Sequence, residues 1–236
     1  MSPSFKNRIS WQLLKRVKCT ARENGQAQAY SLRTSSEFIA AQRRSWAFSA
    51  AGEMGGTMSR VPVIDREALA PDDQAVWDRI AAVRTGVRGP FGVLMHVPAL
   101  ADRIAALEDY FRFNTALPAA DRELVIMATA REMNARYPWA RHEARGREVG
   151  TRSEAIEAVR LNGTLERLTG RERLLVEIVR ALLRTHALPQ ALYTQALTEL
   201  GRQQLIETIA LAGHYSLIGL TVNAFDVAPP ENSSTF

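Results

Sequence analysis

The chain has 236 residues, a formal net charge of +5, 46% apolar residues and a single cysteine. That length is one large domain or two small ones, and the apolar share is ordinary for a globular protein with its own core. The basicity is not a nucleic-acid footprint. Residues 1–57 carry nine basic and three acidic side chains, a net +6 that leaves −1 for the remainder, whereas a phosphate-tracking groove needs its charge on the folded body.

Other features break at the same place. All three lysines and Cys19 precede Met58, and every basic residue after it is arginine. Residues 1–57 are therefore read as a disordered basic leader and 58–236 as the folded domain. The leader fits an organellar transit segment, an export signal or upstream sequence included by an early start. The apolar stretch 46–51 is too short and too deep for export, and an early start, with Met58 the first residue, is preferred. The apolar run 205–224 approaches membrane-spanning length, but Glu207, His214 and Asn223 interrupt it, so it is read as a buried helix. A cytoplasmic protein with neither membrane nor nucleic-acid partners is expected.

From Met58 onward the punctuation is helical. Pro71 opens a helix to Arg84, with Asp72 and Asp73 in its first turn. An apolar Gly/Pro loop over 85–98 follows, and Pro98 starts a helix to about Asn114. Pro118 starts another, to about Arg136, and the break at Tyr137-Pro138-Trp139 leads into a short helix ending at Gly150. Thr151 with Glu154 and Thr169 with Glu172 fit capping boxes. The helix after Thr169 holds Leu174, Leu175, Ile178, Val179, Leu182 and Leu183 on one face. Helices over 190–200 and 203–225 complete an all-α fold. The last is apolar nearly all round, which suggests packing between subunits, while Glu207, His214 and Thr221 form a polar stripe along it. That stripe reads as a satisfied edge, or as His214 facing a pocket.

The chain has no Walker loop, no dinucleotide-binding Gly-x-Gly-x-x-Gly, no His-Glu-x-x-His and no Gly-x-Ser-x-Gly. Its four histidines, His96, His142, His186 and His214, lack ligand spacing, so no metal is expected. The unit 122–150, RELVIMATAREMNARYPWARHEARGREVG, is the candidate for chemistry. It puts Glu123 in the first turn of one helix and His142 in the next, across a tight break, an arrangement suited to proton transfer. Gly146, one turn beyond His142, leaves room beside the imidazole. On spacing alone the preferred reading is Glu123 as a helix-terminus charge and His142 as a satisfied core residue.

The pattern LP-x-x-x-RELVI followed by Y-x-W-x-x-H-x-x-x-G-x-x-x-G resembles the carboxymuconolactone decarboxylase family, which includes the alkyl hydroperoxidase D-like proteins. The segments GVRGPFGVLMHVPALADRI (86–104) and IETIALAGHYSLIGLTVNAFDV (206–227) resemble that family's leading loop and closing helix. The resemblance implies an alkyl hydroperoxidase D-like helical bundle that forms a homo-oligomer, a dimer or a trimer-based assembly. In the peroxidase branch a Cys-x-x-Cys pair stands between the glutamate and the histidine. Aligned on His142, those positions fall on Ala135 and Pro138, neither of which forms a thiolate.

The resemblance therefore implies acid/base chemistry without a cofactor on a small carboxylated or lactone substrate. In it His142 is the acid/base, Glu123 its orienting partner and Tyr137 a relay or hydrogen-bond donor. Arg141 and Arg145 are candidates to hold a carboxylate, with His96, Trp139 and His214 as further candidate substrate contacts. A non-enzymatic small-ligand-binding oligomer is the second reading. A hydroperoxide reductase comes third, opposed by the missing thiols.

Overall fold

The computed structural model describes residues 59–84 and 86–236; the leader expected over 1–57, with Cys19, lies outside them. Among the described residues there are eight α-helices, one 3₁₀ turn at Arg66–Ala68 and no strand. The helices are α1 (Pro71–Arg84), α2 (Pro90–Leu94), α3 (Pro98–Phe113), α4 (Ala119–Glu132), α5 (Arg136–Glu148), α6 (Ser153–Arg160), α7 (Gly170–Thr185) and α8 (Gln190–Ala224).

Helix α4 is the axis of the bundle. Its residues from Glu123 to Ala130 are all buried, because α5, α6, α7 and α8 all pack against it. A helix enclosed on every side needs an apolar circumference, and Leu124, Val125, Ile126, Met127, Ala128 and Ala130 supply it. The one buried hydroxyl there, Thr129, donates back to the Val125 carbonyl at 2.8 Å.

Helix α4 ends four residues before the sequence pattern suggests. Asn134 takes a left-handed conformation (φ 51°). The Ala135 N–H bonds the Ala130 carbonyl at 2.8 Å, and the Asn134 N–H bonds that of Arg131 at 3.2 Å. This pair of bonds is the Schellman closure. Helix α5 starts at once, so α4 and α5 form a tight antiparallel hairpin. Gly146 serves that hairpin and not the imidazole: a Cβ there would lie 3.0 Å from the Met127 methyl and 3.4 Å from Thr151 Oγ1.

Two further expectations change. The apolar 85–98 loop contains a short helix, α2, whose five residues are all buried. Pro90 at its first turn is preset for the helix, and Phe91 and Leu94 carry it into the core. Thr151 does not cap α6, because its hydroxyl donates to the Ala120 carbonyl at 3.2 Å and ties α5 to the start of α4. The box at Thr169 does form, with Glu172 N–H to Thr169 Oγ1 at 3.2 Å and Thr169 N–H to Glu172 at 2.8 Å.

Helix α8 is long and apolar enough by composition to cross a membrane, but more than half of its most apolar window is buried in the bundle. It breaks at Gly201 (φ 72°, ψ 169°), a backbone that only glycine adopts cheaply. Two helices are therefore expected there and two are found.

Replacing Thr169 by Ala should lower stability by about 1 kcal/mol in urea unfolding, the usual loss for such a cap. A change near zero would show that the box contributes nothing to α7.

Candidate active site

Burial of α4 dictates the chemistry at Glu123, the first of its enclosed residues. Glu123 is 3% exposed, and a carboxylate so enclosed needs a charged or hydrogen-bonding partner. The α4–α5 hairpin supplies it: His142 Nδ1 lies 2.6 Å from Glu123 Oε2. Burial pushes the Glu123 pKa up. The charge and hydrogen bond of His142, with Arg122 and Arg145 behind them, more than offset this and leave it below its ordinary value. Glu123 is thus ionised, and Nδ1–H is the donor in this pair.

With Nδ1 so fixed, the other ring nitrogen faces outward from the pair. His142 Nε2 is 3.1 Å from the Tyr215 hydroxyl on α8, and the two rings stand edge to face at 4.9 Å. Burial raises the Tyr215 pKa well above its ordinary value, with Glu108 and Glu123 adding to the shift. Tyr215 is therefore a neutral phenol, placed to donate to Nε2 whenever that nitrogen carries no proton. Glu123, His142 and Tyr215 form a three-member chain drawn from three helices.

Two adjoining cavities, of about 380 Å³ and 270 Å³, share Glu108, Arg112, His142, Arg145 and Tyr215 in their walls. The larger also meets Arg84, Arg88, Tyr137 and Arg141. These arginines divide by their partners. Arg84 bonds Asp109 at 2.7 Å, and Arg112 bonds Glu108 at 2.8 Å, so both are structural. Among the described residues no carboxylate pairs with Arg88, Arg141 or Arg145. Three cations thus face one cavity beside His142, and an anion is the ligand that complements them.

Tyr137 enters this cavity from the first turn of α5 and owes its position to Gly89. That residue has φ 61°, and a Cβ there would collide with the Tyr137 ring. Burial raises the Tyr137 pKa, against the pull of Arg141, Arg88 and Arg145. It is a second neutral phenol facing the ligand space.

The structure brings together His142, Glu123, Tyr137, Arg141 and Arg145. It places three other candidates elsewhere. His96 is exposed and bonds the Pro62 carbonyl through Nε2 at 2.9 Å, because α2 turns the following residues outward. Trp139 is fully buried behind α5, where its indole donates to Glu143 at 3.2 Å. His214 lies one residue short of the cavity face. Its neighbour Tyr215 lines the cavity, while His214 is turned toward Phe111 and Glu108, whose carboxylate is 4.0 Å away. The polar stripe is satisfied at Glu207, which accepts from Tyr110 at 2.7 Å, Thr115 at 2.6 Å and the Ala116 N–H at 2.8 Å. Sequence reasoning missed Tyr215 and Arg88. Tyr215 sits beside the histidine it singled out, one step and about 100° round the helix.

Residues 98–181 match the model of the Carboxymuconolactone decarboxylase family. Among solved structures, the chain resembles the alkylhydroperoxidase AhpD core of an uncharacterized peroxidase-related protein from Ralstonia eutropha JMP134. The two share 21% identity over 75% of this chain and 95% of that one, with a TM-score of 0.63. No curated protein matches. The fold is thus that of the alkyl hydroperoxidase D-like helical proteins. Residues 98–181 of this fold carry the match to the carboxymuconolactone decarboxylase family. Glu123, Tyr137 and His142 fall within this segment, whereas Arg88 and Tyr215 fall outside it. At the two aligned thiol positions stand Ala135 and Pro138, both buried.

His214 gives a test of the electrostatics. Neither ring nitrogen has a hydrogen-bond partner. Burial lowers its pKa, Glu108 opposes, and Arg84 and His142 lower it further. The unfolded chain therefore takes up this proton first, and stability falls as pH drops below about 6.5. Glu123 acts in the same direction, because stability from its lowered pKa is lost as pH falls through the folded value. His214→Leu should leave the melting temperature at about pH 7 unchanged or raised and shrink the loss on acidification to about pH 5. An unaltered acid slope would show that His214 is not its source.

Proposed function

We propose that this protein is a cofactor-independent acid/base enzyme acting on a small carboxylated or lactone substrate. The observation that carries this reading is the Glu123–His142–Tyr215 chain opening on a cavity lined by Arg88, Arg141 and Arg145. The arginines hold the substrate carboxylate. His142 Nε2 takes a proton from the carbon next to a carbonyl, directly or through the Tyr215 hydroxyl, and the C–H electron pair moves onto the carbonyl oxygen as an enolate. Glu123 stabilises the imidazolium so formed, and Tyr137 donates a hydrogen bond to the enolate oxygen. Returning the proton to a different carbon completes an isomerisation. Where carbon dioxide leaves instead of a proton, the carboxylate C–C electron pair forms the enolate and protonated His142 supplies the new C–H bond.

Hydroperoxide reduction through a Cys-x-x-Cys pair is opposed by Ala135 and Pro138 and by the absence of any cysteine after Cys19. The test is a screen of small lactones and carboxylated unsaturated acids against 58–236. A substrate of this enzyme should lose turnover by about 10²-fold or more with His142→Ala, and by about tenfold with Tyr215→Phe. Saturable binding that needs Arg145 but gives no turnover would replace this reading with a ligand-binding role. Activity indifferent to His142 and Glu123 would end the acid/base assignment.

We also propose a homo-oligomer built on α8. Ile206, Ala210, Gly213, Leu217, Leu220 and Ala224 are all exposed at alternating spacings of four and three, and none is charged, so the stripe suits a second copy of itself. Leu217→Glu with Leu220→Glu should reduce the mass found by light scattering. An oligomer of unchanged mass would exclude this face.

A further inference from the structure

The segment after α8 crosses the larger cavity, and its place there is set by how its two ends are fastened. At the near end, the Arg60 N–H bonds the Phe225 carbonyl at 2.8 Å and its guanidinium pairs with Asp226 at 2.8 Å. At the far end, the Phe236 ring meets Trp139 edge to face at 5.3 Å and lies 4.5 Å beneath the Arg131 guanidinium. Arg160 also bonds the Thr235 carbonyl at 2.6 Å. Between these fastenings, Val227, Ala228 and Pro230 form part of the cavity wall that holds His142. Among the described residues, 228–234 hydrogen-bond only to one another, from the Ser233 N–H and hydroxyl to the Pro230 carbonyl.

We propose that this segment is a detachable wall of the cavity, latched by Phe236, whose seating governs ligand access to His142. Phe236 is a positioning residue that touches neither the ligand space nor the proton chain. Its socket is built from α4, α5 and α6: Arg131, Trp139 and Arg160 converge there, and Arg160 is also held by the buried Glu143. The socket is therefore rigid, while among the described residues the wall beyond Val227, whose N–H bonds the Val222 carbonyl at 2.9 Å, has no hydrogen bond to the bundle before Thr235. A segment so held opens when the far fastening is lost, without unfolding the helices. A ring is the right latch, since it fills an aromatic and cationic seat that a smaller side chain leaves empty.

This inference rests on the cavity being the ligand site, and histidine acylation separates the two ideas. Diethyl pyrocarbonate labelling, mapped by peptide mass, reads His142 against the exposed His186, with buried His214 reporting on the core. In Phe236→Ala the His142/His186 ratio should rise at least about fivefold while His214 stays protected, the signature of local opening. Phe236→Tyr should restore the low ratio. An unchanged ratio, or a joint rise of His142 and His214, overturns the latch. Citrate added to the wild type tests the anion site independently. If citrate shields His142 but Phe236→Ala does not alter its labelling, the latch is wrong and the site stands. If labelling rises but citrate never shields, the latch stands and the anionic-ligand reading fails.

Discussion

The contact between Glu123 and His142 is the consequence of enclosing α4 on all sides. A carboxylate near the start of a central helix loses its water, and His142 meets it at one oxygen while Arg122 lies 3.5 Å from the other. Removing either partner from such a pair typically costs about 3–5 kcal/mol, because the remaining group is stranded in the interior. The α4–α5 closure at Asn134 sets the two helices antiparallel and so fixes this pairing. With Nδ1–H committed to Glu123, the tautomer of His142 is determined, and Nε2 becomes the nitrogen open to chemistry. Fold stability and reactivity share one hydrogen bond.

Around that bond the protein sorts its charges. Arg84 is bound to Asp109 and so ties α1 to α3, while Arg112 is held within α3 by Glu108. Arg88, Arg141 and Arg145 have no acidic partner and meet the cavity from the α1–α2 loop and from α5. Glu108 contributes to this division, since it occupies Arg112 while facing both cavities. The near-neutral body inferred from composition thus holds a locally cationic pocket.

The sequence carried most of the helices because their starts have chemical marks: Pro71, Pro98, Pro118 and the Thr169 box. It carried Glu123 and His142 because a short break joins their helices, so proximity in the chain implies proximity in space. Tyr215 lies 73 residues from His142, on a helix apolar nearly all round, where no pattern says which face looks inward. For the same reason the letters do not separate His214 from its neighbour Tyr215, which lines the cavity. Arg141 and Arg145 look like solvated surface in a string of letters, and only the loop carrying Arg88 encloses the space they face. His96 failed for a local reason, because α2 forms where a continuous loop was expected and turns the imidazole out toward Pro62.

Ala135 bears on what a thiol pair would require of this hairpin. It is wholly buried where α8 comes closest to the hairpin: a Cβ on Gly219 would sit 3.3 Å from the Ala135 methyl and 3.1 Å from Met133. A sulfur placed on Ala135 must find space in that contact, and Pro138 has to change as well before a second thiol could answer it. One substitution yields a crowded lone cysteine and no disulfide chemistry. A thiol pair in this hairpin therefore needs two substitutions made together, one of them into a filled helix–helix contact.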